Sequence, residues 1–164
     1  MHTFEFDGEK YKKASKHQKE WGNSLIGELT LKGHETILDL GCGDGRLTEQ
    51  LAQLVPNGSV LGIDGSSGMI ETAKQRSRDN LVFTQMDINR IHFHNEFNVI
   101  FSNATLHWIR DHKKLLYNSF MALKEGGMLL WDFAGDGNCS NFYEIVKEKI
   151  QDENYKPYFN NFEW

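Results

Sequence analysis

In the run Gly41-Cys42-Gly43-Asp44-Gly45, glycine takes every second place between an apolar stretch, Thr36-Ile37-Leu38-Asp39-Leu40, and a helical pattern over residues 46–54. A strand turning sharply into a helix exposes backbone N–H groups and a positive dipole end, and glycines admit a ligand where a Cβ would stand in the way. The run therefore predicts a small-molecule cradle, the alternative being a tight turn needed for packing alone. Two acids lie beyond it. Asp64 ends the second apolar run, Ser59-Val60-Leu61-Gly62-Ile63-Asp64, a place from which a carboxylate can accept both hydroxyls of an adenosine ribose. Asp87, in Gln85-Met86-Asp87-Ile88, offers an acceptor for the exocyclic amine of adenine, with Met86 and Ile88 as apolar contacts; its plainer reading is a helix cap or a solvated loop acid. One acid per strand end, at Asp39, Asp64 and Asp87, along one sheet edge favours the ligand.

Other chemistries fit less well. The dinucleotide fingerprint G-x-G-x-x-G requires glycine at 46, where the sequence has Arg46, and there is no G-x-x-x-x-G-K-[ST] phosphate loop. A nicotinamide-dependent oxidoreductase would share the sheet and Asp64, but no Tyr-x-x-x-Lys pair follows the fourth strand. His92 and His94 lack a partner cysteine or HExxH spacing, so they read as a solvated loop and no metal is expected. His107 is the candidate acceptor-side residue, either orienting the acceptor or, like His112, taking a proton from it. The competing reading is a histidine packed beside Trp108 and bonded to backbone.

These residues must be positioned by strands and helices. Trp21, Leu25 and Leu29 recur at four-residue spacing and predict a helix over residues 15–29. The pattern then alternates: strand 36–40, helix 46–54, strand 59–64, helix from Gly65-Ser66-Ser67 to Arg78, strand 81–85, strand 97–102, helix 111–123 closed at Glu125-Gly126-Gly127, strand 128–133 and a helix over 141–150. Such alternation predicts an α/β, Rossmann-like, doubly wound and mostly parallel sheet of about five strands with helices on both faces.

The chain of 164 residues suits one domain. Lys plus Arg number 18 against 23 Asp plus Glu, and a net charge of -5 disfavours nucleic acid as a partner. Cys42 and Cys139 form no CxxC motif, which suits a reducing compartment, and the expected location is the cytoplasm. No charged segment followed by an apolar run begins the chain, and no stretch approaches the roughly eighteen apolar residues of a membrane span.

On these residues the chain resembles the class I S-adenosylmethionine-dependent methyltransferases, and among them the trans-aconitate methyltransferase-like small-molecule group, from Tyr11 to Phe133. Ile37-Leu38-Asp39-Leu40-Gly41-Cys42-Gly43-Asp44-Gly45 is similar to the family's first motif. Asp64-Gly65-Ser66-Ser67-Gly68-Met69 resembles the next, and Met86-Asp87-Ile88 the adenine-side motif. Ser102-Asn103-Ala104-Thr105-Leu106-His107-Trp108 resembles the segment lining the methionine moiety and facing the acceptor, and Tyr11, Gln18 and Trp21 a helix closing over the cofactor, with Gln18 near its carboxylate.

The resemblance implies S-adenosyl-L-methionine as cofactor, S-adenosyl-L-homocysteine as product, and methyl transfer to an O, N or C atom of a small molecule, with a carboxylate as one such acceptor. It implies cofactor contacts from Gln18, Asp39, Gly41, Cys42, Gly43, Gly45, Asp64, Gly65, Met69, Met86, Asp87, Ile88 and Asn103. Residues 1–30 would be cap helices, 36–133 the core, and 134–164 the start of a cap or C-terminal segment, cut short before the family's last strands. A non-catalytic cofactor-binding domain is the alternative.

Overall fold

The computed structural model describes residues 16–159, with side chains from residue 21 on; Tyr11 and the Gln18 side chain lie outside that range. The chain divides into two compact units, one up to Phe133 and one from Ala134 on. The second unit holds a helix, Ser140–Gln151, that buries none of its residues, and a 3-10 turn, Lys156–Phe159.

The first unit is built on five strands: β1 (Thr36–Leu40), β2 (Ser59–Asp64), β3 (Leu81–Gln85), β4 (Phe97–Asn103) and β5 (Leu123–Asp132). They pair in the order β3-β2-β1-β4-β5, every pairing parallel. From β1 the chain winds outward to β3, then returns to place β4 on the other side of β1. That reversal leaves a crevice beyond the carboxyl ends of β1 and β4, where open α/β sheets bind ligands.

Strand alternation decides which helix covers which face. Ile37, Val60, Phe83, Val99 and Phe101 belong to one buried cluster, with Leu25 and Ile26 of helix α1 (Lys16–Gly27), Leu51 and Ala52 of α2 (Arg46–Leu54), and Ile70 and Ala73 of α3 (Ser67–Lys74). Leu38, Leu40, Ile63 and Ile100 point the other way, into a cluster with Leu115 and Ala122 of α4 (His112–Ala122). Both faces are thus covered, as a parallel sheet requires. In α2 the buried Thr48, Leu51 and Ala52 sit at i, i+3 and i+4, the spacing of one helix face.

Two boundaries differ from expectation by more than two residues. The helix opened by Ser66 ends at Lys74, not Arg78, because Arg76 N and Ser77 N bond three residues back and Arg78 exchanges both backbone hydrogen bonds with Leu81, reversing the chain into β3. Helix α4 stops at Ala122 since Leu123 is already extended and pairs with Phe97, so β5 starts five residues before Met128; the register slips between Phe97 and Val99 to absorb the difference.

Candidate functional site

Gly41, Gly43 and Gly45 have φ of 74°, 54° and 77°, in the left-handed region that L side chains rarely adopt. A Cβ on Gly41 would collide with the side chain of Thr105, and one on Gly45 would lie 2.7 Å from the Phe83 ring. The loop's N–H groups, however, do not face an open cradle as expected from the sequence. Gly41 N and Cys42 N donate to Ile63 O at 2.8 and 2.9 Å, Gly45 N to Cys42 O at 3.0 Å, and Gly43 N to Asp64 Oδ2 at 3.0 Å. Four of the loop's five N–H groups, those of Gly41, Cys42, Gly43 and Gly45, are thus engaged, because the loop folds back onto the end of β2.

Asp64 is the hub of that arrangement. Its other oxygen accepts Ser66 N at 2.8 Å, which sets Ser66 to cap α3 by accepting Met69 N at 3.4 Å. Met69 and Ile88 are buried, Met86 is partly buried, and Met86 N donates to Asp64 O, so the ends of β2 and β3 stay in register beside the loop. Gly65 O accepts Gln85 Nε2 across the same two strands. Asp87 caps the 3-10 turn Ile88–Arg90, its Oδ1 accepting Asn89 N and Nδ2, both at 2.9 Å. The capping reading of Asp87 thus accounts for one of its oxygens.

Asp39 faces the α2 side of the sheet by strand alternation, and it is only 2% exposed. Thr48 Oγ1 of α2 donates to its Oδ2 at 2.7 Å. Burial pushes its carboxyl up to about 7; the Thr48 hydrogen bond opposes that rise and the nearby Asp64 charge adds to it. An acid whose pKa rises on folding stabilises the fold fully below its unfolded pKa, and the contribution is lost as pH climbs through the folded value. Between about pH 4 and 7 the loss amounts to roughly 4 kcal/mol at most. Asp39→Asn is therefore expected to flatten the stability profile over that range and to be more stable than the parent at pH 8; denaturant titrations at pH 5 and 8 check this, and an equal parent–variant difference at both would refute it. Cys42 lies against the same acids. Burial first, then the charges of Asp39 and Asp64, push its thiol well up, so it stays protonated and is no nucleophile.

The end of β4 closes the crevice on its other side. Thr105 Oγ1 donates to Gly41 O at 3.2 Å, bridging the switch point between β1 and β4. Half-buried Asn103 precedes Ala104, which has φ 54° and donates to Asp132 O at 2.7 Å. A Cβ on Gly22 would meet Leu47 and lie 3.2 Å from Asn103 Nδ2, so glycine there lets α1 approach both the first turn of α2 and the end of β4. Gln18 stands one turn earlier on that helix. His107 lies in the 3-10 turn Leu106–Trp108, exposed, with its ring 5.3 Å from that of Trp108. Partial burial lowers its pKa, favouring the neutral imidazole. His112 begins α4 with its ring 5.5 Å from Phe133.

The structure therefore gathers Asp39, Gly41, Cys42, Gly43, Gly45, Asp64, Gly65 and Asn103 at the carboxyl edge, with Met69, Met86, Asp87 and Ile88 beside β2 and β3. Thr48 and Thr105 were not singled out from the sequence, though a threonine on the buried i, i+3, i+4 face of α2 was a readable signal. Among the described residues no group of three His, Cys, Asp or Glu side chains is placed to hold a metal, and no helix is long and apolar enough to cross a membrane. A cavity of about 410 Å³ lined by Asn95, Phe120, Leu123 and Gly127 lies at the opposite, amino edge of the sheet, away from these groups.

A family model described as a methyltransferase domain matches residues 31–162. A malonyl-[acyl-carrier protein] O-methyltransferase of Bacillus cereus is 32% identical over 151 residues, covering 89% of this chain and 56% of that protein. A trans-aconitate 2-methyltransferase of Deinococcus radiodurans is 42% identical over 93 residues, 57% of this chain and 35% of that protein. Among solved structures, an S-adenosylmethionine-dependent methyltransferase from Mesorhizobium loti superposes with a TM-score of 0.59 at 28% identity, covering 68% of this chain and 52% of that one. A Haemonchus contortus N-methyltransferase in complex with phosphomonomethylethanolamine and S-adenosylhomocysteine gives 0.68 at 25% identity, covering 79% and 32%. The chain spans somewhat over half the length of the malonyl-[acyl-carrier protein] relatives it matches.

Proposed function

The chain belongs to the methyltransferase-domain family, and from that premise we propose that it binds S-adenosylmethionine over the glycine loop and transfers its methyl group to a carboxylate of a small molecule. The observation that carries the reading is the engagement of Gly43 N by Asp64. A pyrophosphate would need that donor and would meet the Asp64 charge, whereas a cofactor with a sulfonium, an ammonium and only one carboxylate gains from an acid-lined crevice.

In this reading Asp64 accepts the ribose hydroxyls, Met69, Met86 and Ile88 flank the adenine, and Asp87 Oδ2, whose neighbour in the structure is Arg90 Nε at 3.9 Å, takes its amine. Asp39, buried beside Thr48, acts on the cationic end of the methionine moiety through its charge; Gly43 and Gly65, where an added Cβ would meet nothing within 4 Å, leave room for close approach, while Gly41, Cys42 and Gly45 shape the loop. Asn103 contacts the amino-acid end. The bound cofactor supplies an electrophilic methyl carbon whose bond to sulfur breaks toward sulfur as an acceptor lone pair attacks. A carboxylate acceptor is ionised at neutral pH and needs no base, so His107, neutral and exposed at the rim, orients the acceptor. The names of the relatives specify malonyl and trans-aconitate acceptors, both carboxylate-bearing, which supports that class.

The test is incubation with methyl-labelled S-adenosylmethionine and a panel of small di- and tricarboxylic acids, amines and phenols. The reading expects label in a base-labile ester. It also expects His107→Ala to lower turnover about tenfold, the loss of one orienting contact, with S-adenosylhomocysteine affinity unchanged. Label appearing only in amines or phenols would overturn the carboxylate class, and wild-type turnover in the variant would end the role of His107.

A further inference from the structure

The glycine loop is tied down unevenly. Its first half is held through Gly41 N, Cys42 N and Gly43 N to the end of β2 and by Thr105 on Gly41 O. Its second half, around Asp44, lies between two left-handed glycines; the Asp44 carboxylate is held locally by Arg46 N at 3.3 Å and Arg46 Nε at 3.2 Å, and the Asp44–Gly45 peptide itself needs a restraint from outside the loop. Arg76, in the turn after α3, provides it: Nε donates to Asp44 O at 3.0 Å while Nη1 of the same guanidinium meets Glu49 Oε2 at 2.7 Å. Glu49 belongs to the first turn of α2, its own N–H bonds Gly45 O at 2.9 Å, and its second oxygen is held by Arg78 Nη2 at 2.6 Å. The Arg76 and Glu49 side chains are only 24% and 27% exposed, so solvent screens the pair less than it would a surface ion pair.

We propose that Arg76 is a positioning residue for the cofactor site, fixing the Asp44–Gly45 peptide plane and thereby the loop that the cofactor lies against; this rests on the cofactor reading above. The direction of Asp44 O sets the direction of Gly45 N–H, which closes the turn onto Cys42 O and starts α2. A guanidinium makes both bonds from one rigid plane, and an ammonium at the same place reaches only one of the two acceptors. Arg76 needs no contact with the ligand to act. Without it the loop samples other glycine conformations, and a ligand must select the competent one at the expense of affinity.

The experiment is calorimetric titration of S-adenosylhomocysteine into the full chain and into Arg76→Lys, Glu49→Gln and Arg78→Ala, each with its melting midpoint. The latch predicts a graded loss: roughly tenfold for Arg76→Lys, about threefold for Glu49→Gln and under about twofold for Arg78→Ala, as one charge-assisted contact is lost, weakened or left in place. Where turnover is measurable, cofactor KM rises and kcat holds. Parent-like affinity in both Arg76→Lys and Glu49→Gln overturns the proposal, and so does a loss of affinity that tracks the melting midpoint from variant to variant. Silence of the parent chain toward S-adenosylhomocysteine would instead remove the cofactor reading itself.

Discussion

Replacing Asp64 with asparagine is expected to weaken S-adenosylhomocysteine binding by about a hundredfold, close to 3 kcal/mol. The substitution keeps size and shape, and only the acceptor count changes. Both oxygens of Asp64 accept backbone N–H groups, Gly43 N on one and Ser66 N on the other. An amide must turn its NH₂ toward one of those donors, so either the glycine loop or the cap of α3 is released. The ribose would meanwhile lose a charged acceptor. Calorimetry with the variant checks this, and affinity within threefold of the parent would show that neither the charge of Asp64 nor its hold on the loop contributes to binding.

Gly41→Ala is expected to cost roughly 2–5 kcal/mol of folding stability. About 1–2 kcal/mol comes from a Cβ at φ 74° and about 1–3 from the collision with Thr105. Rotation of the threonine does not relieve it, since the Thr105 Cβ itself would stand 2.6 Å away. Pairing the substitution with Thr105→Gly should recover the packing share and leave the backbone share. Urea unfolding of the two variants measures both; a Gly41→Ala midpoint matching the parent would mean that β1 and β4 do not approach as closely at the switch point as the structure has them.

The sequence was legible where one element depends on itself. Strands β1, β2 and β3 and helix α2 begin and end at the residues expected, because each is bounded by glycine, proline or an acid whose local effect is strong. Local signals could not show where α3 ends: residues 75–78 carry a helical composition, but Arg78 is captured by Leu81 and Arg76 by Asp44 and Glu49, contacts made by the folded chain. The same holds for the site. The glycines and the three strand-end acids were readable, while the use of the loop's own N–H groups by Ile63 and Asp64 was not, because it depends on how β2 lies against β1. Asp87 offered two roles from sequence, and the structure assigns one of its oxygens to the turn that follows.

The crevice at the ends of β1 and β4 must choose an adenosine that carries an amino-acid tail over a dinucleotide. Calorimetric titration of S-adenosylhomocysteine into the purified chain, with NAD in a parallel run, measures that choice directly. The account predicts saturable one-to-one binding of the first and no heat from the second. Binding of NAD with no response to S-adenosylhomocysteine would contradict it.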